Sequence, residues 1–292
     1  HHYDSLTYIF KQKTTMKALI LLLSATLIMS CGETKKQEDN TTKEDMMPVE
    51  PNGGIGDGTP SLDQAFVSSV EKAHKKEAFL NKAVVSFDID LNFNGKDALD
   101  GTISMLTNTS KIKIEHDNGS MLVFDNENVY KSPKYAEMPR ARFSMFTWPY
   151  FFSLPYKLND DGVNIEKQDM MPMEGDSLEA FKMTFDAGTG DAPDDWYYVY
   201  TNDKQQIVAA GYIVTFGGTP EEEAVKNAHA IVYNDYKMVD GIPVATSWEF
   251  YNWSKEEGIT GEPIGDATIT NLTFSEEKEG MFAAPENSTI ID

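Results

Sequence analysis

Apolar and polar residues alternate along residues 85–94, where every odd position is apolar and every even position is polar. Because successive side chains of a β-strand point to opposite faces, this pattern predicts a half-buried strand. Nine further segments are predicted as strands: 102–107, 110–116, 119–131, 178–186, 196–201, 206–216, 227–239, 243–253 and 266–275. Turn residues such as Asp240-Gly241 separate several of them, which predicts hairpins and therefore an antiparallel sheet.

A helix is predicted before the first strand. Ser61 is a favourable N-cap residue, and the apolar residues after it recur close to the helical period as far as about Ala83. These apolar residues are Leu62, Phe66, Val70, Ala73 and Leu80. Residues 31–60 have no hydrophobic period and are rich in charged residues, Gly and Pro, which is typical of a disordered tether. We therefore expect one domain of the α+β class at residues 61–292.

The alternation lapses over residues 132–177, and this gap contains an aromatic segment at residues 143–156. Half of its fourteen residues are aromatic. Pro149 and Pro155 argue against a central strand and predict that any helix here is short. Two interpretations are open: the segment is a helical plug that completes the core, or it is a lid over an apolar cavity.

The first thirty residues indicate an export signal. The chain opens with His1, and Met16 is a second plausible start, so we interpret residues 1–15 as upstream translation. Residues 16–30 combine a positive start with an apolar run of about eleven residues. A membrane-spanning helix needs about 20 apolar residues, so this run is too short to span and is predicted to be a signal peptide.

The signal ends in Ile28-Met29-Ser30-Cys31, which resembles the bacterial lipobox. The resemblance implies that Cys31 is lipidated, with acyl chains such as palmitate, and that it anchors the protein to a membrane. Gly32 follows the cysteine, and the familiar sorting rule reserves Asp at this position for the inner membrane, so we expect the outer membrane. Gln37-Glu38-Asp39 loosely resembles the surface-export signal of Bacteroidota lipoproteins, and both faces of the outer membrane stay open.

Charge and residue content argue against several classes of partner and of active site. Without residues 1–30 the chain carries 22 Lys and Arg against 46 Asp and Glu, a net charge of −24. Such a charge repels nucleic acid, so we expect no nucleic-acid partner. Cys31 is the only cysteine, which leaves no internal disulfide and no thiolate metal cluster. The remaining histidines, His74, His116 and His229, show no metal-binding spacing, and no HExxH or GxSxG motif occurs. We expect a monomer without cofactor, metal or enzymatic activity.

The order of these features resembles the LolA/LppX-like superfamily of bacterial envelope lipid and lipoprotein carriers, and the chain also resembles flavobacterial lipoproteins. Residues 233–244, with Tyr233, then Val239-Asp240-Gly241 and Pro243, are similar to the superfamily's late hairpin. Residues 281–285 are similar to its terminal Phe-x-x-Pro edge. The resemblance implies a strongly curved antiparallel sheet, a half-barrel, with the N-terminal helix and the aromatic insertion packed on it and an apolar cavity between them.

The chain differs from the soluble carrier of this superfamily in its predicted lipid anchor. The soluble carrier of this superfamily is not lipidated, whereas this chain has Cys31 and is therefore more similar to the anchored members.

Two functions are open. The first is an outer-membrane-anchored lipoprotein that binds or relays a hydrophobic ligand, a lipid or the acyl chains of a lipoprotein. The second is a non-enzymatic structural or interaction lipoprotein with a filled core and an acidic face for a protein partner. A cavity favours the first, and native packing without voids favours the second. The candidate cavity residues are Phe146, Trp148, Phe151, Phe152, Trp196 and Tyr198.

Overall fold

The computed structural model describes residues 61–292. The upstream segment 1–15, the signal peptide 16–30, the anchor Cys31 and the tether 31–60 lie outside the described residues. Among the helices at residues 61–292, none has the length and apolar content to cross a bilayer.

Nearly half of the described residues form one large antiparallel sheet. Its strands are β1 Val84–Phe93, β2 Lys96–Leu106, β3 Ile112–His116, β4 Met121–Phe124, β5 Val129–Ser132, β6 Val163–Lys167, β7 Met171–Met173, β8 Asp176–Phe185, β9 Tyr197–Thr201, β10 Ile207–Tyr212, β11 His229–Val239, β12 Ile242–Ser254, β13 Gly258–Ser275 and β14 Thr289–Ile291. The helices are α1 Leu62–Ala73, α2 Lys76–Leu80, α3 Ala141–Ser153 and α4 Glu221–Val225, and a 3-10 turn, Leu154–Tyr156, follows α3.

The sheet is built from two runs of hairpins joined by one long-range pair. Strands β1 to β5 pair in sequence order, and so do β8 to β13. Strand β1 pairs with β13, so the order across the sheet is β14-β5-β4-β3-β2-β1-β13-β12-β11-β10-β9-β8-β6, with β7 paired to β8 beside this path. The sheet is not closed, since β14 and β6 end it. The α+β class with an open antiparallel sheet is therefore confirmed.

The strand predictions differ from the structure at short elements and at two strand starts, since β2 begins at Lys96 and β13 at Gly258 rather than at 102 and 266. The segment 119–131 is two strands, because the Asp125 carboxylate accepts the backbone N–H groups of Glu127 and Asn128 at 2.9 and 2.8 Å and fixes a turn. Strands β6, β7 and β14 have only three to five residues, too few to show a period, and the sequence analysis missed them.

The N-terminal helix begins as predicted. Ser61 caps α1 through a capping box with Gln64, in which the Ser61 hydroxyl accepts the Gln64 N–H at 3.2 Å. The prediction of one helix to Ala83 is wrong, because Lys75 has a left-handed backbone with φ 56° and separates α1 from α2. His74, just before this break, is fully buried, and its Nε2 accepts the Ile207 N–H at 2.9 Å.

The aromatic segment is helical over thirteen residues, so the expectation of a short helix is wrong. Pro149 lies inside α3 and lacks the N–H that would donate to the carbonyl four residues earlier. Pro149 is also buried, as are its neighbours Trp148, Phe151 and Phe152. Burial of these large side chains offsets the cost of the missing hydrogen bond.

Both faces of the sheet carry apolar clusters. The inner face, defined as the one that packs against α1 and α3, holds the main core. On the other face, a second cluster lies under β7 and α4, and a third lies under the C-terminal segment around Phe282. Strand β9 shows the alternation, since Tyr197 and Val199 belong to the main core and Tyr198 to the second cluster.

Candidate functional site

The C-terminal half of α3 is part of the core. Phe151 is 1% exposed, and its ring lies 4.9 Å from that of Tyr212 and 6.2 Å from that of Phe250. Phe152 stacks on Phe87 at 4.3 Å. The Tyr233 hydroxyl donates to the Phe151 carbonyl at 2.7 Å, which ties this half of the helix to the sheet.

The N-terminal half of α3 forms one wall of a cavity of about 830 Å³, called here the larger cavity. Its inner wall is mainly apolar and is made of buried or half-buried side chains: Phe93, Ala98, Leu122, Met138, Ala141, Phe143, Trp148, Tyr212, Val214, Phe216 and Ala224. Its rim is polar and exposed, with Asn94, Lys96, Asp97, Asn118, Glu137, Arg140, Thr219 and Asn227. An apolar interior behind a polar rim suits a ligand with a hydrocarbon part and a polar end.

A second cavity of about 470 Å³, called here the smaller cavity, lies against the same helix. Its apolar lining is Ile112, Phe124, Phe143, Phe146, Pro149, Tyr150, Phe185, Ala192, Tyr197 and Phe216. Phe143, Thr147 and Phe216 line both cavities and therefore form the wall between them.

An ion pair fastens α3 to the loop that covers the smaller cavity. The Arg142 Nε and Nη2 groups donate to the two Asp191 carboxylate oxygens at 2.5 and 2.9 Å. These hydrogen bonds raise the pKa of Arg142, so its guanidinium is charged at neutral pH. The Arg142 guanidinium also lies 5.2 Å from the centre of the Phe146 ring. Bidentate pairs of this kind fix geometry as well as adding energy.

Several buried polar atoms beside the cavities have no hydrogen-bond partner among residues 61–292. They are Trp148 Nε1, His116 Nε2 and Tyr150 Oη. His116 and His229 both line the larger cavity, and burial lowers the pKa of each, so both imidazoles are neutral at pH 7. The larger cavity thus has neutral polar groups next to its apolar wall.

The structure divides the six candidate cavity residues among four places. Trp148 lines the larger cavity and Phe146 lines the smaller one. Phe151 and Phe152 are core residues and border neither cavity, because they lie in the half of α3 that faces the sheet. The plug and lid interpretations thus concern different parts of the helix: Phe151 and Phe152 near its C-terminal end fill the core, and the part from Ala141 to Tyr150, called here its N-terminal half, is a cavity wall.

Trp196 and Tyr198 lie on the other face of the sheet. The Trp196 indole N–H donates to Glu221 at 2.9 Å, and Tyr198 stacks on Trp253 at 5.6 Å. Strand alternation turns Tyr197 rather than Tyr198 toward the smaller cavity. Sequence patterning grouped the right residues on each strand face but did not identify which face was inner.

The sequence analysis also missed Phe143, Phe216 and Tyr212. Phe143 belongs to the aromatic segment, so the sequence could have identified it as a candidate cavity residue. Phe216 lies four residues beyond the end of β10 and was included in the predicted strand 206–216, where nothing marked it as a cavity residue. The described residues contain no group of three or more His, Asp or Glu side chains placed to hold a metal ion.

No family model matches the chain, and no curated protein is similar to it in sequence. Similar solved structures include a LolA superfamily protein from Nitrosomonas europaea, with 6% identity and a TM-score of 0.49 over 77% of this chain and 98% of that one. A putative outer membrane lipoprotein-sorting protein domain from Vibrio parahaemolyticus has 8% identity and a TM-score of 0.40 over 75% and 97% of the two chains. The Mycobacterium tuberculosis lipoprotein LppX has 9% identity and a TM-score of 0.25 over 72% and 96%.

Proposed function

We propose that the protein binds the hydrocarbon part of a lipid, or of a lipoprotein's acyl chains, in the larger cavity and holds or relays it in the bacterial cell envelope. The observation that carries this proposal is the cavity itself. Its volume of about 830 Å³ falls within the roughly 300–1,000 Å³ of typical ligand pockets. Its interior is mainly apolar and its charged groups are at the rim.

The exposed polar rim leaves the larger cavity open, so a ligand can enter from solvent and reach the apolar wall. Neither the buried imidazoles nor the acidic side chains converge on a metal-binding group within residues 61–292. We favour a carrier or binding protein over an enzyme because the wall of the larger cavity is mainly apolar. The alternative of a structural lipoprotein with a filled core has less support, because α3 fills the core with only one of its halves.

The cellular placement is a proposal from the sequence. Signal peptide 16–30, lipidated Cys31 and tether 31–60 would attach the domain at 61–292 to the outer membrane as a monomer. The lipobox and the Gly32 that follows it support this placement. A flexible tether would let the cavity reach a ligand away from the anchor point.

A fluorescent fatty acid tests the binding proposal. Ala98 lines the larger cavity only, and Ala98→Trp would fill part of it. Ala284→Trp adds the same ring at an exposed position outside both cavities and is the matched control. We expect the full chain and the control to bind the probe at micromolar concentrations and Ala98→Trp to bind at least about tenfold more weakly, a loss that two fewer buried methylene groups would produce. Equal binding by all three proteins, or no binding by the unaltered chain, contradicts the proposal.

A further inference from the structure

The smaller cavity has no part in the function proposed above, yet it is large enough for a ligand. Its volume of about 470 Å³ is also within the roughly 300–1,000 Å³ range of ligand pockets. Phe124, Phe146, Phe185 and Tyr197 give it aromatic walls. Only the N-terminal half of α3 and Phe216 separate it from the larger cavity.

We propose that the smaller cavity is the binding site for a second hydrocarbon chain of the same ligand, which is therefore a two-chained amphiphile that straddles α3. This inference rests on the function proposed for the larger cavity. It adds a site and a ligand class, a lipid with two chains joined at one polar group.

Three of the four charged groups at the smaller cavity are already engaged, and the fourth, Glu127, is exposed, so the buried part of the lining offers mainly hydrocarbon contacts. Arg142 is paired with Asp191. The Asp195 carboxylate accepts both the backbone N–H and the hydroxyl of Thr215, at 2.6 and 2.7 Å. A second polar headgroup would have to break these bonds, whereas an acyl chain would not.

The wall between the cavities marks where the two chains would join. Phe143, Thr147 and Phe216 border both spaces, so a ligand that enters both has its branch point beside them. The Arg140 guanidinium lies 4.0 Å from the centre of the Phe143 ring, is exposed, and forms no ion pair with a carboxylate of residues 61–292. Arginine donates several hydrogen bonds in a fixed fork, which suits the ester or phosphate oxygens at such a branch point.

Two lipids that differ in chain number test this inference. Dioctanoyl-phosphatidylcholine and octanoyl-lysophosphatidylcholine share a headgroup and chain length, and the full chain carrying Cys31→Ser avoids competition from an attached lipid. Ala192 lines the smaller cavity only and Ala98 the larger cavity only, so Ala192→Trp and Ala98→Trp are matched fillings of one cavity each. Isothermal titration calorimetry gives the affinity and stoichiometry of each lipid.

We expect one two-chained lipid per protein, bound more than about tenfold more tightly than the one-chained lipid, since two further buried methylene groups already correspond to that factor. Ala192→Trp should remove this advantage and leave the one-chained affinity within about twofold, whereas Ala98→Trp should weaken both lipids by about tenfold or more. Equal affinity for the two lipids, or an advantage that survives Ala192→Trp, overturns the second chain site while leaving the first intact. Failure of both lipids to bind overturns the proposed function as well.

A measurement on the unfilled protein covers the case in which Ala192→Trp does not fold. A diacyl lipid with a photoactivatable diazirine at the end of one chain should label segment 181–197 as well as strands β1 and β2, because either chain can enter either cavity. Labelling confined to the larger cavity overturns the inference.

Discussion

Truncating two aromatic residues three positions apart on α3 separates the core half of this helix from the cavity half. Phe151→Ala removes a ring that is 1% exposed and lies close to the rings of Tyr212, Phe250 and Trp148. Trp148→Ala removes a ring that packs on Phe151 and Phe250 on one side and borders the larger cavity on the other. The two changes are therefore expected to affect different properties.

The expected magnitudes follow from what each ring leaves behind. Phe151→Ala opens a closed void in the core, and we expect a loss of about 3–5 kcal/mol in the free energy of unfolding, as for other buried phenylalanines. Trp148→Ala extends a space that already exists, so fewer contacts are lost. We expect the free energy of unfolding to fall by about 2 kcal/mol. Because Trp148 is part of the ligand wall, its loss should also weaken lipid binding by about tenfold.

Urea denaturation followed by far-ultraviolet circular dichroism measures the stability of both variants without relying on tryptophan fluorescence. Displacement of a fluorescent fatty acid measures binding. Phe152→Ala, which removes a ring stacked on Phe87, is a second core variant and should resemble Phe151→Ala. If Trp148→Ala is the more destabilising change and binds the probe normally, the division of α3 into a core half and a cavity half is wrong.

Three further predictions concern single groups. Burial lowers the pKa of His74 from 6.5 to about 4, so the folded state favours the neutral ring. The contribution of His74 to the free energy of unfolding is therefore fully present above pH 6.5. It is lost as the pH falls toward 4, by up to about 3 kcal/mol. His74→Gln should flatten that part of a pH-dependent unfolding profile, and an unchanged slope would contradict the assignment. Arg142→Met breaks the partly exposed ion pair with Asp191 and should cost less than about 1 kcal/mol, yet speed lipid release in stopped-flow experiments; an unchanged release rate would show that the pair does not hold the cover of the smaller cavity. Cys31→Ser should move the protein from the detergent phase to the aqueous phase without unfolding it, and a native protein that already partitions into the aqueous phase would refute the anchor.

Local patterning predicted much of the sheet. The period-2 segments located β1, β8, β11 and β12 closely, because polar and apolar residues alternate over part of each strand. Pairing between β1 and β13 was not predictable, since their residues are far apart in the chain and alternation does not specify partners. The pairing of β12 with β13 is irregular between Phe250 and Asn252, and no pattern in the sequence indicates this irregularity. Alternation continues through it, since Phe250 faces the inner core and Tyr251 faces the other side.

The candidate site was harder to predict than the sheet. An aromatic residue in or beside a strand packs equally well on either face, so Trp196 and Tyr198 looked like cavity wall although α1 and α3 lie on the opposite side. The cavities arise because α3 does not fill the space between itself and the sheet. That mismatch depends on where the helix crosses the sheet, and no single segment of sequence carries this information.

Native mass spectrometry of the full chain, purified from the cells that produce it and released gently from detergent, tests the central claim most directly. The account predicts a population whose mass exceeds that of the processed protein by one lipid, lost on collisional activation and reduced in Ala98→Trp but not in Ala284→Trp. A single ligand-free mass in all three proteins, under conditions in which a known lipid carrier retains its lipid, would contradict it.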